Sequence, residues 1–282
     1  MLRPMVSSSP SPERNSRCRL AKALQSEWQA WTGSFAEFMA DLDGRKVPYL
    51  SHSKVATVER CPRCYYKQYI LGEQPCSDAL TTGLLFHQAA AASYARRRDS
   101  RRGAQPADGD PPVPQHPSLG EQPYLDNALA TLTENVWEGH EVIGVEELFF
   151  MDLAPRLPPV IGVIDLVLRK GKSYVVVDHK TSKRFGEPDG DQLVLYAEHV
   201  RRAHDGVRCK GAFDEYRLVP NLQRVRTPVF RRTPISVPAS CLPDLMLRYR
   251  HAWLAIKRIR GEDNAPAGDE CWFCKPRYSS WW

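Results

Sequence analysis

The most sustained apolar pattern in the chain is a pair of β-branched runs, Val160-Ile161-Gly162-Val163-Ile164-Asp165-Leu166-Val167-Leu168 and Tyr174-Val175-Val176-Val177-Asp178-His179-Lys180. A short basic stretch containing Gly171 separates them. Two such runs around a turn predict antiparallel strands. Side chains alternate along a strand, so Asp178 and Lys180 share one face while Val177 and His179 point to the other. A turn at Lys170-Gly171 would pair Arg169 with Lys172, set Asp165 opposite Val176 and set Asp178 opposite Val163. The two acids would then be diagonal neighbours on one face, roughly 7–8 Å apart. A slip of one residue would separate them.

A helical period precedes this pair. Leu20, Leu24, Trp28, Trp31, Phe35, Phe38 and Leu42 form one stripe, which predicts a single amphipathic helix in the segment 20–48, ending at Gly44. Such a stripe usually packs on its own domain, and its rival role is a docking helix for a protein partner or a lid over a nucleic-acid groove. A second helix is expected to run through Cys61-Pro62-Arg63-Cys64 to Tyr69, with Ser51 or Ser53 as its cap. A third is expected over 83–98 and contains His87 ahead of an alanine-rich run. Further helices are expected over 124–138, 189–204 and 239–259. Strands are expected over 142–153, 212–219 and 225–229, the first carrying Glu146 and Glu147. Residues 1–19 read as a disordered tail, and 99–123, rich in Pro, Gly and Asp towards its end, as a flexible insertion in a domain spanning 49–282. No internal repeat is visible.

Composition narrows the function classes. A chain of 282 residues, 42% hydrophobic and 26% charged, has the makeup of a soluble globular protein. The net charge of +6 permits a polyanionic partner such as DNA. No apolar run reaches the ~18 residues of a membrane span, and the Ser/Pro/Arg-rich start is not a secretory signal. Eight cysteines without an export signal favour thiols or metal ligands over disulfides, so a cytoplasmic location is expected.

Two carboxylates and an ammonium in otherwise apolar strands need an explanation, because a buried charge is tolerated only when paired or bound to a metal. An ordinary Asp–Lys ion pair is the simplest account. Two acids on neighbouring strands also suit a hard divalent cation, Mg²⁺ or Mn²⁺.

Gly162-Val163-Ile164-Asp165 followed by Val177-Asp178-His179-Lys180-Thr181 resembles the core of the PD-(D/E)XK nuclease superfamily. In particular it is similar to the RecB-type branch, with the nuclease domains of recombination helicase–nucleases and the small CRISPR-associated exonucleases. Gly83-Leu84-Leu85-Phe86-His87 is similar to that branch's histidine-bearing helix, and Gln192-Leu193-Val194-Leu195-Tyr196 to its Gln-x-x-x-Tyr helix. The resemblance implies an α/β, restriction-endonuclease-like core: a small mixed sheet flanked by helices, with a helical N-terminal region and a metal-cluster staple joining the two ends. It implies that Asp165 and Asp178 hold Mg²⁺ or Mn²⁺, that the His179 main-chain carbonyl adds an oxygen, and that His87 completes the shell. Lys180 would orient or deprotonate the attacking water and stabilise the transition-state charge. Gln192 and Tyr196, four apart on one helical face, would position water or phosphate. Glu146 or Glu147 matches the family's further acid, and alignment on the following Phe favours Glu146.

Cys61-x-x-Cys64 and Cys271-x-x-Cys274 have metal-ligand spacing at opposite ends of the domain. In the relatives one N-terminal cysteine joins three C-terminal ones. Here Ser280 stands at about the place of the last, which leaves Cys64 as the fourth ligand. The resemblance implies a 4Fe-4S cluster, and two such pairs also make a tetrahedral zinc site. Cys18, Cys76, Cys209 and Cys241 show no such pairing.

The expected activity is that of a metal-dependent DNA nuclease, an exonuclease on single strands or duplex ends. Arginine-rich stretches at 96–102 and 248–260 would contact the phosphate backbone. The alternative is a catalytically silent nucleic-acid-binding or assembly subunit of a recombination, replication or CRISPR adaptation complex.

Overall fold

The computed structural model describes residues 12–73, 77–101, 113–269, 271 and 274, with side chains from residue 20 onward. The chain forms two compact units, one of residues 1–73, 149–162 and 246–282 and the other of residues 74–148 and 163–245.

In the first unit the expected single N-terminal helix is two: α1 (Pro12–Ala30) and α2 (Phe35–Gly44). Gly33-Ser34 explains the break. The Ser34 hydroxyl accepts from the Glu37 N–H while the Glu37 carboxylate accepts from the Ser34 N–H, a reciprocal cap that starts a new helix. α1 also begins at Pro12, inside the stretch expected to be disordered, and residues 1–11 lie outside the described ones. The stripe packs within this unit: Trp28 and Trp31 meet Phe38 edge-on at 5.3 and 5.5 Å, and Phe38 and Leu42 are fully buried.

The expected second helix is also broken. α3 (His52–Arg60), capped by Ser51, stops at Cys61, and α4 (Pro62–Tyr65) restarts and runs into a π turn, Tyr66–Ile70. Pro62 is the cause, since the residue before a proline is forced out of the helical region, and Cys61 is extended at φ −160°.

The second unit is built on α5 (Asp78–Arg101), α6 (Gln122–Glu134), α7 (Gly190–Ala203) and most of a five-stranded sheet. α5 starts five residues earlier than expected, because the Ser77 hydroxyl accepts from the Leu80 N–H. The strands are β1 (Glu141–Met151), β2 (Val160–Lys170), β3 (Ser173–Ser182), β4 (Arg208–Arg217) and β5 (Phe230–Ile235), in the order 1-2-3-4-5. β2–β3 and β4–β5 are antiparallel and β3–β4 parallel, so the sheet is mixed. The strand expected at 225–229 lies instead at β5, after a 3₁₀ turn at Leu222–Arg224. Pro234 is compatible with β5 because this strand lies at the sheet's edge. α8 (Leu242–Arg258) follows a 3₁₀ turn over the first residues of the expected 239–259 helix.

The β2–β3 register differs from expectation by two residues. Lys170 pairs with Ser173 and Leu166 with Val177, so Gly171-Lys172 is the turn, and Gly171 takes φ +60° there. A two-residue shift preserves faces. The paired residues end at Leu166 and Val177, one short of Asp165 and Asp178. A core of Phe86, Tyr94, Leu125, Leu166, Val177, Tyr216 and their neighbours fills the space between α5, α6 and the sheet.

Candidate active site

β1, β2, β3, α5 and α7 each send side chains to one place. On β1 the buried positions are Val142 and Gly144 before Glu146, and Phe149 and Met151 after it, so the alternation changes phase at Glu146–Glu147. The cause is Glu146 itself, at φ +48° in the left-handed region. The kink sends the two adjacent acids to different partners. Glu147 meets His199 on α7 at 3.1 Å. Glu146 joins His87 of α5 and Asp165 of β2, and ligand atoms of these three lie within 4.8 Å of one another. Glu146 rather than Glu147 therefore converges with the other candidates.

Asp165 is held in place: one carboxylate oxygen accepts from the His179 main-chain N–H at 2.7 Å and stands 3.5 Å from His87 Nδ1. Asp178 on β3 has its carboxylate turned to Lys180 Nζ at 2.6 Å, and it accepts from Gln192 Nε2 at 2.7 Å. Lys180 also donates to Gln192 Oε1 at 2.9 Å, and Gln192 donates to the Tyr196 hydroxyl at 2.7 Å. The i, i+4 spacing on α7 thus produces a connected chain from Tyr196 through Gln192 to the Asp178–Lys180 pair.

The electrostatics are those of crowded acids. Burial, reinforced by the charge on Asp165, pushes Glu146 up to about 7. Burial and the same neighbour raise Asp178 to about 6, with Lys180 opposing. Burial also works against ionisation of Asp165, but the hydrogen bond and charge of His87 outweigh it and hold this carboxyl below the usual range. Burial works against the cationic form of His87, yet Asp165 raises its pKa overall. Two carboxyls that resist ionising beside a third that is ionised are a reservoir of affinity for a cation, and the His, Glu, Asp donor set fits Mn²⁺ or Mg²⁺.

The His179 side chain points away from the acids, as strand alternation requires. It is buried, stacked on Tyr94 at 5.8 Å, and its burial lowers its pKa. Sequence reasoning misses Tyr94 as part of this neighbourhood, although it lies seven residues, two helical turns, from His87 on α5.

In the first unit, Cys61, Cys64, Cys271 and Cys274 come together with their sulfurs within 4.8 Å of one another. Cys64 Sγ is 3.0 Å from Cys271 and 3.3 Å from Cys274, and Cys61 is 3.7 Å from Cys274. Ser280 lies outside the described residues. The N–H groups of Cys64 and Gly268 point at Cys61 Sγ at 3.3 and 3.2 Å. Burial works against the Cys61 thiolate, but these amides dominate and bring its pKa down to about 7. Gly268 is required here, because a Cβ would stand 2.1 Å from the Arg60 carbonyl oxygen. Three buried cysteines and a half-buried one, with amides aimed at the Cys61 sulfur, are a metal-thiolate donor set. A tetrahedral ion with ~2.3 Å metal–sulfur bonds holds its sulfurs about 3.8 Å apart, whereas a four-iron cluster takes one thiolate per iron and spreads them wider.

Of the arginines expected to contact nucleic acid, Arg248 is paired with Glu59 at 2.7 Å and Arg98 with Asp99 at 2.9 Å. No described helix is long and apolar enough to cross a membrane.

No curated protein matches the sequence. A candidate exonuclease from Eubacterium rectale has a similar fold, at a TM-score of 0.54 and 12% identity over 86% of this chain and 92% of that one. The protein SSO0001 gives a TM-score of only 0.36 at 16% identity, over 86% of each chain. The sequence pattern of the PD-(D/E)XK nuclease superfamily matches residues 49–277, which contain every candidate site residue. On that match, and with a mixed sheet carrying Asp165, Asp178 and Lys180 at its centre, the chain belongs to the PD-(D/E)XK nuclease superfamily.

Proposed function

We propose that the protein is a metal-dependent DNA nuclease that degrades strands from their ends. The observation that carries this reading is the convergence of His87, Glu146 and Asp165 beside the Asp178–Lys180–Gln192–Tyr196 chain. His87, Glu146 and Asp165, with Asp178 from the adjacent strand and the His179 carbonyl, would hold Mg²⁺ or Mn²⁺. When bound, the ion supplies a Lewis acid for the phosphate and acidifies water. The Lys180 ammonium offsets negative charge that develops on the phosphoryl oxygens and orients the attacking water. Gln192 fixes Lys180 and Asp178 relative to each other, and Tyr196 fixes Gln192. Water adds to phosphorus as its proton passes to a basic group of the site, and the bond to the leaving sugar oxygen breaks as that oxygen takes a proton from solvent water. The exonuclease reading also draws on the name of the structurally similar Eubacterium rectale protein.

The four-cysteine group is assigned a structural metal. The resemblance implies a 4Fe-4S cluster, and two CxxC pairs whose sulfurs all lie within 4.8 Å of one another also suit a single tetrahedral zinc ion.

The test is degradation of end-labelled linear DNA and of a closed circle with Mn²⁺, Mg²⁺ or chelator, by wild type and Lys180→Ala. Loss of linear DNA with metal, by wild type alone, supports the reading. DNA bound but left intact by both proteins would replace it with the silent binding subunit. Equal degradation of the closed circle would overturn action from ends.

A further inference from the structure

α7 carries a second clamp besides Gln192. Gln192, Tyr196 and His199 follow one another at helical spacing, so they lie along one face of this helix. Gln192 grips Asp178 and Lys180 on β3. Further along the same face, Glu147 of β1 accepts from His199 Nε2 at 3.1 Å, and both side chains are half-buried. Glu147 directly follows Glu146, the residue held at φ +48°. A left-handed backbone at a residue with a Cβ costs free energy and persists only where its surroundings fix it. Two features fix it from the Glu147 side. The Glu147 carboxylate folds back over Gly144, where a Cβ would overlap it, and His199 pins that carboxylate from α7.

We infer that Glu147 and His199 are positioning residues, whose pair holds the left-handed turn that delivers the Glu146 carboxylate to His87 and Asp165. One helix thereby sets both halves of the site: the His87, Glu146 and Asp165 donors through His199, and the Asp178–Lys180 pair through Gln192. The inference rests on the nuclease reading for the role of the ion and adds which residues shape its donor set. Packing of α7 on the sheet alone calls neither for an acid beside Glu146 nor for a glycine that leaves room for its carboxylate. A residue that orients a metal ligand without touching the metal shows itself in metal affinity, and its effect vanishes when the ligand it orients is removed.

The experiment uses the full chain without DNA. Mn²⁺ affinity is read by calorimetry for wild type, His199→Leu, His199→Gln, Gly144→Ala, Glu146→Gln and the double variant His199→Leu/Glu146→Gln, with each Tm as control. His199→Leu removes the donor, His199→Gln returns an N–H, and Gly144→Ala displaces the Glu147 carboxylate with both partners still present. Expected is about tenfold weaker Mn²⁺ binding in His199→Leu and Gly144→Ala, the low end for losing an outer partner of a ligand, and near-wild-type binding in His199→Gln. The double variant should bind no more weakly than Glu146→Gln, because His199 acts through Glu146. Additive losses, or a lower Tm with Mn²⁺ affinity unchanged, would make the pair merely structural and overturn the inference. Amide hydrogen exchange in chelator gives a readout that needs no ion. Peptides covering 144–149 should exchange several-fold faster in His199→Leu and as in wild type in Gln192→Ala. Unaltered exchange in His199→Leu would equally overturn the inference. DNA cleavage decides the other reading separately. A wild type that shows this binding and exchange pattern but leaves DNA intact in Mn²⁺ removes the nuclease and keeps the clamp, and cleavage without the pattern does the reverse.

Discussion

Gln192 donates to Asp178 at 2.7 Å from a helix that begins ten residues beyond Lys180. The same side-chain amide accepts from Lys180 at 2.9 Å, so one residue sets the separation of the acid and the ammonium on β3. Gln192→Ala should leave both charged groups present but loosely placed. The expected loss is about 10–100-fold in kcat on end-labelled DNA, the usual scale for removing an orienting partner, with KM little changed. Lys180→Ala removes the charge itself and should cost about 10²–10³ or more. If Gln192→Ala raised KM with kcat intact, its role would be in substrate binding instead.

Glu146 combines a side chain that converges with His87 and Asp165 and a backbone at φ +48° that disfavours any residue with a Cβ. The substitutions Glu146→Gly and Glu146→Ala separate the two properties. Both lose the carboxylate and should lose Mn²⁺ affinity alike by calorimetry, roughly 10-fold or more. Glu146→Gly should nevertheless be more stable than Glu146→Ala by about 1 kcal/mol, because glycine takes positive φ without steric cost. Equal stability of the two would mean that the left-handed turn is not maintained.

Glu146 also marks the limit of what the sequence can disclose. The central hairpin, the α7 boundaries and the pairing of the four cysteines are legible, since each is written in short-range spacing: β-branched runs, a periodic helix between Asp189 and His204, and two CxxC pairs. The hairpin register differs by two because Lys170-Gly171 and Gly171-Lys172 are both acceptable turns, and strand pairing beyond the turn decides between them. Strand alternation does not tell Glu146 from Glu147, because the conformation that separates them breaks the alternation. The split of the N-terminal stripe into α1 and α2 is, in contrast, visible in Ser34-x-x-Glu37, a cap signal that outweighs an uninterrupted apolar period.

The crowded acids give a pH dependence with a definite sign. Glu146, at about 7, and Asp178, at about 6, hold protons in the folded, metal-free protein at pH values where an unfolded chain has released them. His87, also raised, adds stability that is present below its ordinary pKa and lost above its folded one. Stability falls wherever the folded state binds more protons, so all three groups act in the same direction between about pH 5 and 8. The metal-free protein should therefore melt a few degrees lower at pH 8 than at pH 5.5. Mn²⁺ should reverse this, since it binds the deprotonated set, and its affinity should rise over the same interval. Water access to Glu146 moderates the size of the effect and leaves its direction. Glu146→Gln should flatten the metal-free profile, and a profile unaltered by that change would place the titration elsewhere. Asp165, whose pKa is lowered, acts oppositely: its contribution is present at neutral pH and is lost as pH falls through its folded value.

The cysteine group lies in the unit that carries none of the candidate catalytic side chains, and this separates its effect from chemistry. Cys64 approaches two other sulfurs, at 3.0 and 3.3 Å, so Cys64→Ser removes a donor from the middle of the set. Bound metal should fall well below one equivalent, and Tm should drop on the order of 10 °C, because folding free energy is coupled to metal binding. Cys241→Ser, outside the group, should change neither. Well below its lowered Tm, Cys64→Ser should cleave DNA within a few-fold of wild type. A loss of activity much larger than the loss of folded protein would instead tie the clip to catalysis. Anaerobic purification with elemental analysis identifies the metal. Four irons with acid-labile sulfide per chain are expected from the resemblance, and one stoichiometric zinc would replace the cluster by a tetrahedral ion while leaving the nuclease reading in place.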